Sequence, residues 1–198
     1  MSLVPAFKLG LWNAWIITVS SFLITMLPLL IGKEKTNKRA EGEPKWNELR
    51  KTYKISVLIT HAVIMPFTIG YSIFLPLQLS TVWLYVGLAI SILGIVMGFM
   101  AGFAFATASL DKPISKGAYR FSRNPMYFSA FLEYLGIGIA SASWVFLLCA
   151  VVWIVSWDIG LNEEERILTE KYGDAYREYM NRTPRWIGIP KSEKKRLA

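Results

Sequence analysis

The chain alternates long apolar runs with short charged segments. Residues 9–31 carry no charged side chain over 23 positions, and residues 55–110 carry none over 56. Residues 126–157 carry a single acid, Glu133, in 32 positions. A helix needs about 20 apolar residues to cross a hydrocarbon core of roughly 30 Å. Pro76 and the polar residues after it divide the longest run into two, so the pattern predicts an all-α, polytopic membrane protein.

The pattern predicts about five transmembrane helices, formed by three spans and a helical hairpin. Each arm of the hairpin has about 15 residues, or roughly 22 Å, which is short for a full crossing. Its turn is expected at Ala140–Ser143. The whole chain, residues 1–198, is expected to form one membrane domain. The predicted helices cover about residues 9–31, 55–75, 81–105, 126–140 and 144–158.

The basic residues are unevenly distributed between the loops. Of the 22 Lys and Arg residues, eight lie in residues 33–54, four in residues 112–123 and nine after residue 157, and one precedes the first span. The positive-inside rule then places these loops and the C-terminal helix in the cytoplasm and the N-terminus outside.

Composition supports the membrane assignment, since 54% of the residues are hydrophobic and only 18% are charged. The net charge of +8 is explained by the cytoplasmic bias and by affinity for anionic lipid. We therefore expect the lipid bilayer, and no nucleic acid, as a partner. Cys149 is the only cysteine and His61 the only histidine, so no metal site is expected.

Three features inside the spans are interpreted as structural. His61 is expected to bond to a neighbouring helix, and Pro66 to kink the helix that carries both. Small residues recur at every fourth position of the third span and favour close helix packing (Gly94, Gly98, Gly102 and Ala106).

The segment DKPISKGAYRFSRNPMY, residues 111–127, cannot form one continuous helix, because it contains two prolines and a glycine. Irregular backbone at a membrane interface is costly unless it lines a polar cavity or is buried in protein. Pro125 suits the first turn of the next helix, and Asn124 is a candidate N-cap.

The segment NEEERILTEKYGDAYREY, residues 162–179, is predicted to form an amphipathic helix with Asn162 as its N-cap and three acids at its positive end. Leu168, Tyr172, Tyr176 and Tyr179 form one stripe. The stripe continues backwards to Glu164, so this acid should point towards the buried face and need a partner there.

In this order and at these spacings, GAYRFSRNPMY, an apolar hairpin, EEERILTEKYGDAYREY and RTPRW resemble the isoprenylcysteine carboxyl methyltransferase family of membrane enzymes. The resemblance covers about residues 105–188. It implies S-adenosylmethionine bound on the cytoplasmic side and a lipophilic substrate that enters from the bilayer. The residues implied to hold the cofactor are Pro113, Ile114, Tyr119, Asn124, Pro125, Met126, Tyr127, Glu163 and Glu164.

The chain departs from that family's pattern at several positions. Asn124 stands where the family has His, Ser129 stands where it has Gly, and no Arg precedes the acidic run near Gly160. The Asn-Pro-Met-Tyr turn is instead similar to that of phospholipid N-methyltransferases. The substrate class is therefore predicted less directly than the cofactor.

The two possible acceptors place different demands on the protein. A carboxylate is already ionised at neutral pH and needs only a cation to orient it, for which Arg120 and Arg123 are candidates. An amine is mostly protonated and needs a base, for which Glu133 is the candidate. We expect carboxyl O-methylation of an isoprenylcysteine-like or other lipophilic substrate first, and N-methylation of a phospholipid or other amine as the alternative.

Two other classes of protein stay open at this point. Membrane sterol reductases that use NADPH have a similar proline–tyrosine turn and tyrosine helix, but they carry Gly-Glu where Phe128 and Ser129 stand here. A non-enzymatic membrane adaptor would leave the placement of Tyr119, Tyr127 and Glu164 unexplained.

Overall fold

A computed structural model describes residues 8–41 and 43–190. In this part of the chain the regular elements are helical, and the extended pairing is limited to one isolated bridge between Asn13 and Pro76. The all-α prediction is confirmed. The α-helices are α1 Trp15–Ile31, α2 Lys33–Glu41, α3 Lys51–Val57, α4 Met65–Ser72, α5 Val82–Thr107, α6 Pro125–Ala140, α7 Trp144–Tyr172 and α8 Asp174–Arg182, with short 3-10 turns at Trp46–Glu48 and Gly117–Arg120.

The first helix is shorter than predicted, since it begins at Trp15 rather than near residue 9. The preceding residues are held by another segment instead. The Asn13 amide donates to the carbonyl oxygens of Lys8 at 2.6 Å and Ile73 at 2.7 Å, and the Ala14 N–H donates to Leu75 at 2.8 Å. α1 then bends by 80° into α2.

The second predicted span is a continuous helix, Lys51–Ser72, whose centre is wider than an α-helix. A π-helical segment, Leu58–Ile64, joins α3 to α4. Pro66 lies two residues after the end of this segment, and a proline lacks the N–H that the preceding turn would bond. The Met65 N–H accordingly donates to Thr60, five residues back. The expected irregularity at Pro66 is therefore a π-helical turn that precedes the proline.

The small residues of α5 pack against neighbouring helices, as the sequence predicted. An added methyl group at Gly98 would lie 2.8 Å from Thr25 of α1 and 2.9 Å from the Ser129 hydroxyl of α6. At Gly87 it would lie 2.5 Å from the Gly136 carbonyl oxygen of α6. The side chains of α5 that face away, such as Phe103, are exposed and suit lipid.

We predict that Gly136→Ala destabilises the protein. The added methyl group would lie 2.3 Å from the Ser91 hydroxyl and 2.6 Å from the Gly87 carbonyl oxygen, so α5 and α6 would have to separate. Such overpacking costs about 1–3 kcal/mol. Gly70→Ala is the matched control, since its methyl group meets nothing within 4 Å. Thermal unfolding in detergent should show a lower midpoint for Gly136→Ala only, and equal midpoints for the two variants would contradict this packing.

The hairpin has the predicted turn but not the predicted second arm. Ala142 occupies the turn with a φ of 52°, and the Ser143 hydroxyl accepts from the Phe146 N–H at 3.4 Å. α7 then continues for 29 residues, about 44 Å, instead of ending near residue 158. Asn162 lies inside this helix, so the N-cap prediction is wrong.

The helix ends at Gly173, where φ is +57°, and α8 begins directly afterwards. The acids at 163–165 therefore lie in the middle of a helix and not at its positive end. Glycine adopts this left-handed backbone readily, which explains why the break falls there.

Three helices of the described chain are long and apolar enough to span a membrane, and α1 with α2 would make a fourth if the bent pair is one span. α6 has 16 residues and is shorter than a full crossing. A polytopic membrane protein is confirmed, and the count of about five transmembrane helices, three spans and a short hairpin, stays a prediction. The orientation stays a prediction, and the N-terminal residue itself lies outside the described part of the chain.

Candidate functional site

A cavity of about 740 Å³ runs through the helical bundle. Its apolar part is lined by side chains of α1 and of the π-helix–α4 segment, among them Phe22, Met26 and Met65. Its polar part is lined by α2, by the loop before α6, and by α7 and α8. The cavity therefore joins membrane-embedded helices to the loop and helices that the sequence singled out.

The cavity brings together most of the residues predicted to hold a cofactor. Two of the nine, Pro125 and Glu163, do not line it. Those that line it are Pro113, Ile114, Tyr119, Asn124, Met126, Tyr127 and Glu164. The N-terminal half also contributes, so the cavity extends beyond residues 105–188.

Glu164 lies at the centre of the polar part and points inward, as its stripe predicted. Its carboxylate accepts hydrogen bonds from the Tyr53 hydroxyl at 3.1 Å and from the Tyr127 hydroxyl. The Tyr127 ring stacks on Trp157 with the centroids 3.9 Å apart, and the Trp153 indole N–H donates to the Tyr127 carbonyl oxygen at 3.0 Å. Aromatic side chains thus hold a half-buried acid against the cavity.

Glu163 has a different environment from its neighbour. Only 1% of it is exposed, and it binds Arg166 at 2.8 Å and Arg50 at 3.2 Å. The Arg50 backbone N–H also donates to it at 3.1 Å. Glu163 therefore fixes the start of α3 to α7, and the structure does not bring it to the cavity.

Glu165, which the sequence did not single out, connects the C-terminal segment to the loop. It accepts two hydrogen bonds from Arg185, at 3.0 and 2.6 Å, and pairs with Arg123 at 3.3 Å. This pairing raises the pKa of Arg185. The Arg123 backbone N–H also donates to the Pro184 carbonyl oxygen at 2.9 Å. The C-terminal segment therefore holds the loop before α6 in place.

Asn124 occupies the predicted N-cap position of α6, and Pro125 begins the helix. The side chain does not cap it, however. The Asn124 amide donates to the Arg185 carbonyl oxygen at 3.1 Å instead. This residue therefore joins the loop to the C-terminal segment.

The tyrosine stripe reaches the cavity although the helix breaks at Gly173. Tyr176 and Tyr179 of α8 are buried, and all four members of the stripe line the cavity. The Tyr179 hydroxyl donates to the Tyr119 carbonyl oxygen at 2.8 Å. Burial, and next the charge of Glu164, raise the pKa of Tyr119 above its ordinary value.

The three candidate catalytic residues lie in different places. Arg120 is exposed and is not among the cavity-lining residues. Arg123 lines the cavity, and its Nε is buried without a hydrogen-bond partner in the described chain. Glu133 is half-buried on α6, beside Gly94, and also lines the cavity. The structure therefore brings Arg123 and Glu133 to one cavity and leaves Arg120 outside.

His61, which the sequence analysis interpreted as structural, lines the same cavity. Its ring packs against Trp153 and Trp157 at centroid distances of 5.9 and 5.8 Å. Its Nδ1 lies 3.0 Å from the Thr60 hydroxyl. The sequence predicted a polar partner on a neighbouring helix, but Thr60 is on the same helix as His61. No group of three or more metal-ligating side chains occurs in residues 8–41 and 43–190.

The fold and this cavity define a polytopic membrane protein that can hold a polar ligand and an apolar one in a single space. A family model described as phospholipid methyltransferase matches residues 67–175, more than half of the chain. The chain therefore belongs to the phospholipid methyltransferase family, which is related to the family that its sequence resembles, and it is a membrane methyltransferase. A search of curated proteins found no match.

Family membership confirms the predicted class of protein and gives no support to the reductase or adaptor alternatives. The matched region contains the loop, the hairpin and Glu164. It leaves out Arg39, Tyr53 and His61, which the fold brings to the cavity from the N-terminal half.

Proposed function

We propose that this membrane methyltransferase transfers a methyl group from S-adenosylmethionine to a lipophilic substrate that reaches the cavity from the bilayer. One observation carries the proposal: a single cavity joins the Glu164 cluster, which is Glu164 with Tyr53 and Tyr127, to apolar side chains of the membrane-embedded helices. Methyl transfer needs donor and acceptor to meet in one such space.

The residues of the polar part suit the donor. Glu164 is a half-buried acid whose partners in the described chain are tyrosine hydroxyls, and a carboxylate has lone pairs left for further donors such as ribose hydroxyls or an amino group. Tyr119, Asn124 and Tyr127 would complete the contact from the loop before α6. When bound, S-adenosylmethionine supplies a methyl group on a positively charged sulfur.

The surrounding rings would exclude water from the reaction. Tyr127, Trp153 and Trp157 form a continuous aromatic wall beside Glu164. A one-step displacement gains mainly from alignment and from the removal of solvent. The loop before α6, held in place by the C-terminal segment, and this aromatic wall favour both the alignment of the reactants and the removal of solvent.

The first candidate acceptor is the carboxylate of an isoprenylcysteine-like lipid. It requires no base, and Arg123, which lines the cavity and pairs with Glu165, would orient it by its positive charge. Arg120 loses its proposed role because its side chain is outside the cavity.

The second candidate acceptor is the amine of a phospholipid. The presence of Glu133 on the cavity wall favours it, because an amine must lose a proton before it attacks. The family description points in the same direction.

Transfer of a labelled methyl group into membrane lipids tests the function and separates the two acceptors. Purified protein should incorporate tritium from labelled S-adenosylmethionine into a lipid extract. A base-labile product identifies an ester, and a stable product identifies an amine. Absence of transfer, with retention of NADPH by the protein, would contradict the proposal.

A further inference from the structure

Arg39 is a buried cation from outside the region that the family model matches. It lies on α2, with 6% of its surface exposed. Its guanidinium stacks over Phe105 of α5, 5.0 Å from the ring centroid. Its Nη2 donates to the carbonyl oxygens of Ala108 and Ser109, each at 3.2 Å, where α5 ends. One edge of the group therefore satisfies carbonyls at a helix C-terminus.

The rest of the guanidinium has no matching anion. No carboxylate pairs with Arg39 anywhere in residues 8–41 and 43–190, and its Nε is buried without a hydrogen-bond partner. Glu43, an acid on the same cavity wall, pairs with Lys171 at 3.4 Å instead. Buried charges are normally paired, because removing them from water is costly.

Arg39 lines the same cavity as Glu164. Both groups act on Tyr119: the charge of Glu164 raises the pKa of its hydroxyl, and the charge of Arg39 lowers it, while burial has the largest effect. The polar part of the cavity thus holds an acid and an unpaired guanidinium around one tyrosine. This arrangement is complementary to a ligand that carries charges of both signs.

We propose that Arg39 is an anion-binding residue of the cavity and takes a carboxylate or phosphodiester oxygen of a bound ligand. The first source is the carboxylate of the methyl donor, and in this form the inference rests on the proposed function. The second source with the same chemistry is the phosphodiester of a lipid substrate. Nη2 is taken up by the carbonyl oxygens at the end of α5, so Nη1, which makes no hydrogen bond in the described residues, supplies the contact together with Nε.

The test compares Arg39→Gln with wild type in calorimetric titrations of detergent-solubilised protein. The probes are S-adenosylhomocysteine and its decarboxylated analogue, which keeps the adenosine and the amine. A second arm measures thermal stabilisation by dihexanoyl phosphatidylethanolamine. Lys35→Gln is the matched control, since Lys35 also donates to the end of α5, to Thr107 at 3.1 Å, but is not among the cavity-lining residues. Arg39→Lys keeps the charge should the glutamine variant unfold.

If the donor carboxylate is the anion, Arg39→Gln should bind S-adenosylhomocysteine roughly tenfold or more weakly and the decarboxylated analogue as wild type does. If the phosphodiester is the anion, only the stabilisation by the lipid should be lost. Equal losses for both nucleosides, or no loss for any probe, would overturn the inference and leave Arg39 as a cap of α5. Failure of the wild-type protein to bind either nucleoside would instead remove the proposed donor, and the lipid arm would then decide on Arg39.

Discussion

Glu164→Gln should weaken the binding of S-adenosylhomocysteine about 50-fold, because the variant loses a charged acceptor inside the cavity. The amide has nearly the same shape, and its oxygen can still accept from Tyr53 and Tyr127, which hold the carboxylate now. The protein should therefore fold, and isothermal titration in detergent should report the loss as a change in affinity.

Glu163→Gln is the control for this experiment, since it changes the adjacent residue in the same way. Glu163 pairs with Arg50 and Arg166 away from the cavity. This variant should lower the thermal midpoint and leave the affinity within about threefold of wild type, because a buried ion pair loses one partner. Wild-type affinity in Glu164→Gln, or equal loss in both variants, would remove the site assignment.

Glu133→Gln should separate the two acceptors. With Glu133 as the base, methylation of an amine lipid should fall about 100-fold or more in kcat, while methylation of a prenylcysteine analogue should be spared. Donor affinity should not change, because Glu133 is on the cavity wall formed by α6 and not in the Glu164 cluster. Initial rates with the two lipids measure the effect.

Tyr134→Phe is the control, since it removes a polar group from the adjacent position on the same wall. We expect it to retain amine methylation within about threefold, because a neutral phenol hydroxyl is a poor base at neutral pH. Equal rates for Glu133→Gln and wild type with both lipids would exclude Glu133 as the base.

The sequence predicted the helices better than it predicted their ends. Charge-free runs revealed the helices because each must satisfy its own backbone in lipid. Asn162 looked like an N-cap because capping preferences are local, but no residue before Gly173 interrupts α7. The start of α1 was missed for a different reason. The Asn13 side-chain amide donates to the carbonyl oxygen of Ile73, 60 residues away, and no local pattern predicts that contact.

At the site too, the sequence predicted what local pattern decides and missed what contacts between distant residues decide. Helical periodicity was sufficient to predict that Glu164 points inward. Adjacent residues on a helix differ by about 100° in direction. This rotation explains why Glu163 is directed to Arg50 and Arg166 and not to the cavity. Arg39 and Tyr53 lie in a polar segment without a motif, and only the folded chain brings them to Glu164 or Tyr119. Arg39 lies among other charged residues of α2, and nothing in that sequence indicates that it will be buried.

An experimental structure with S-adenosylhomocysteine bound is the most direct test of the account. It should show the nucleoside in contact with both Tyr127 and the Glu164 carboxylate, enclosed by the loop before α6 and by α7. Nucleoside density elsewhere in the protein, with Glu164 still bonded only to its tyrosines, would contradict the central claim.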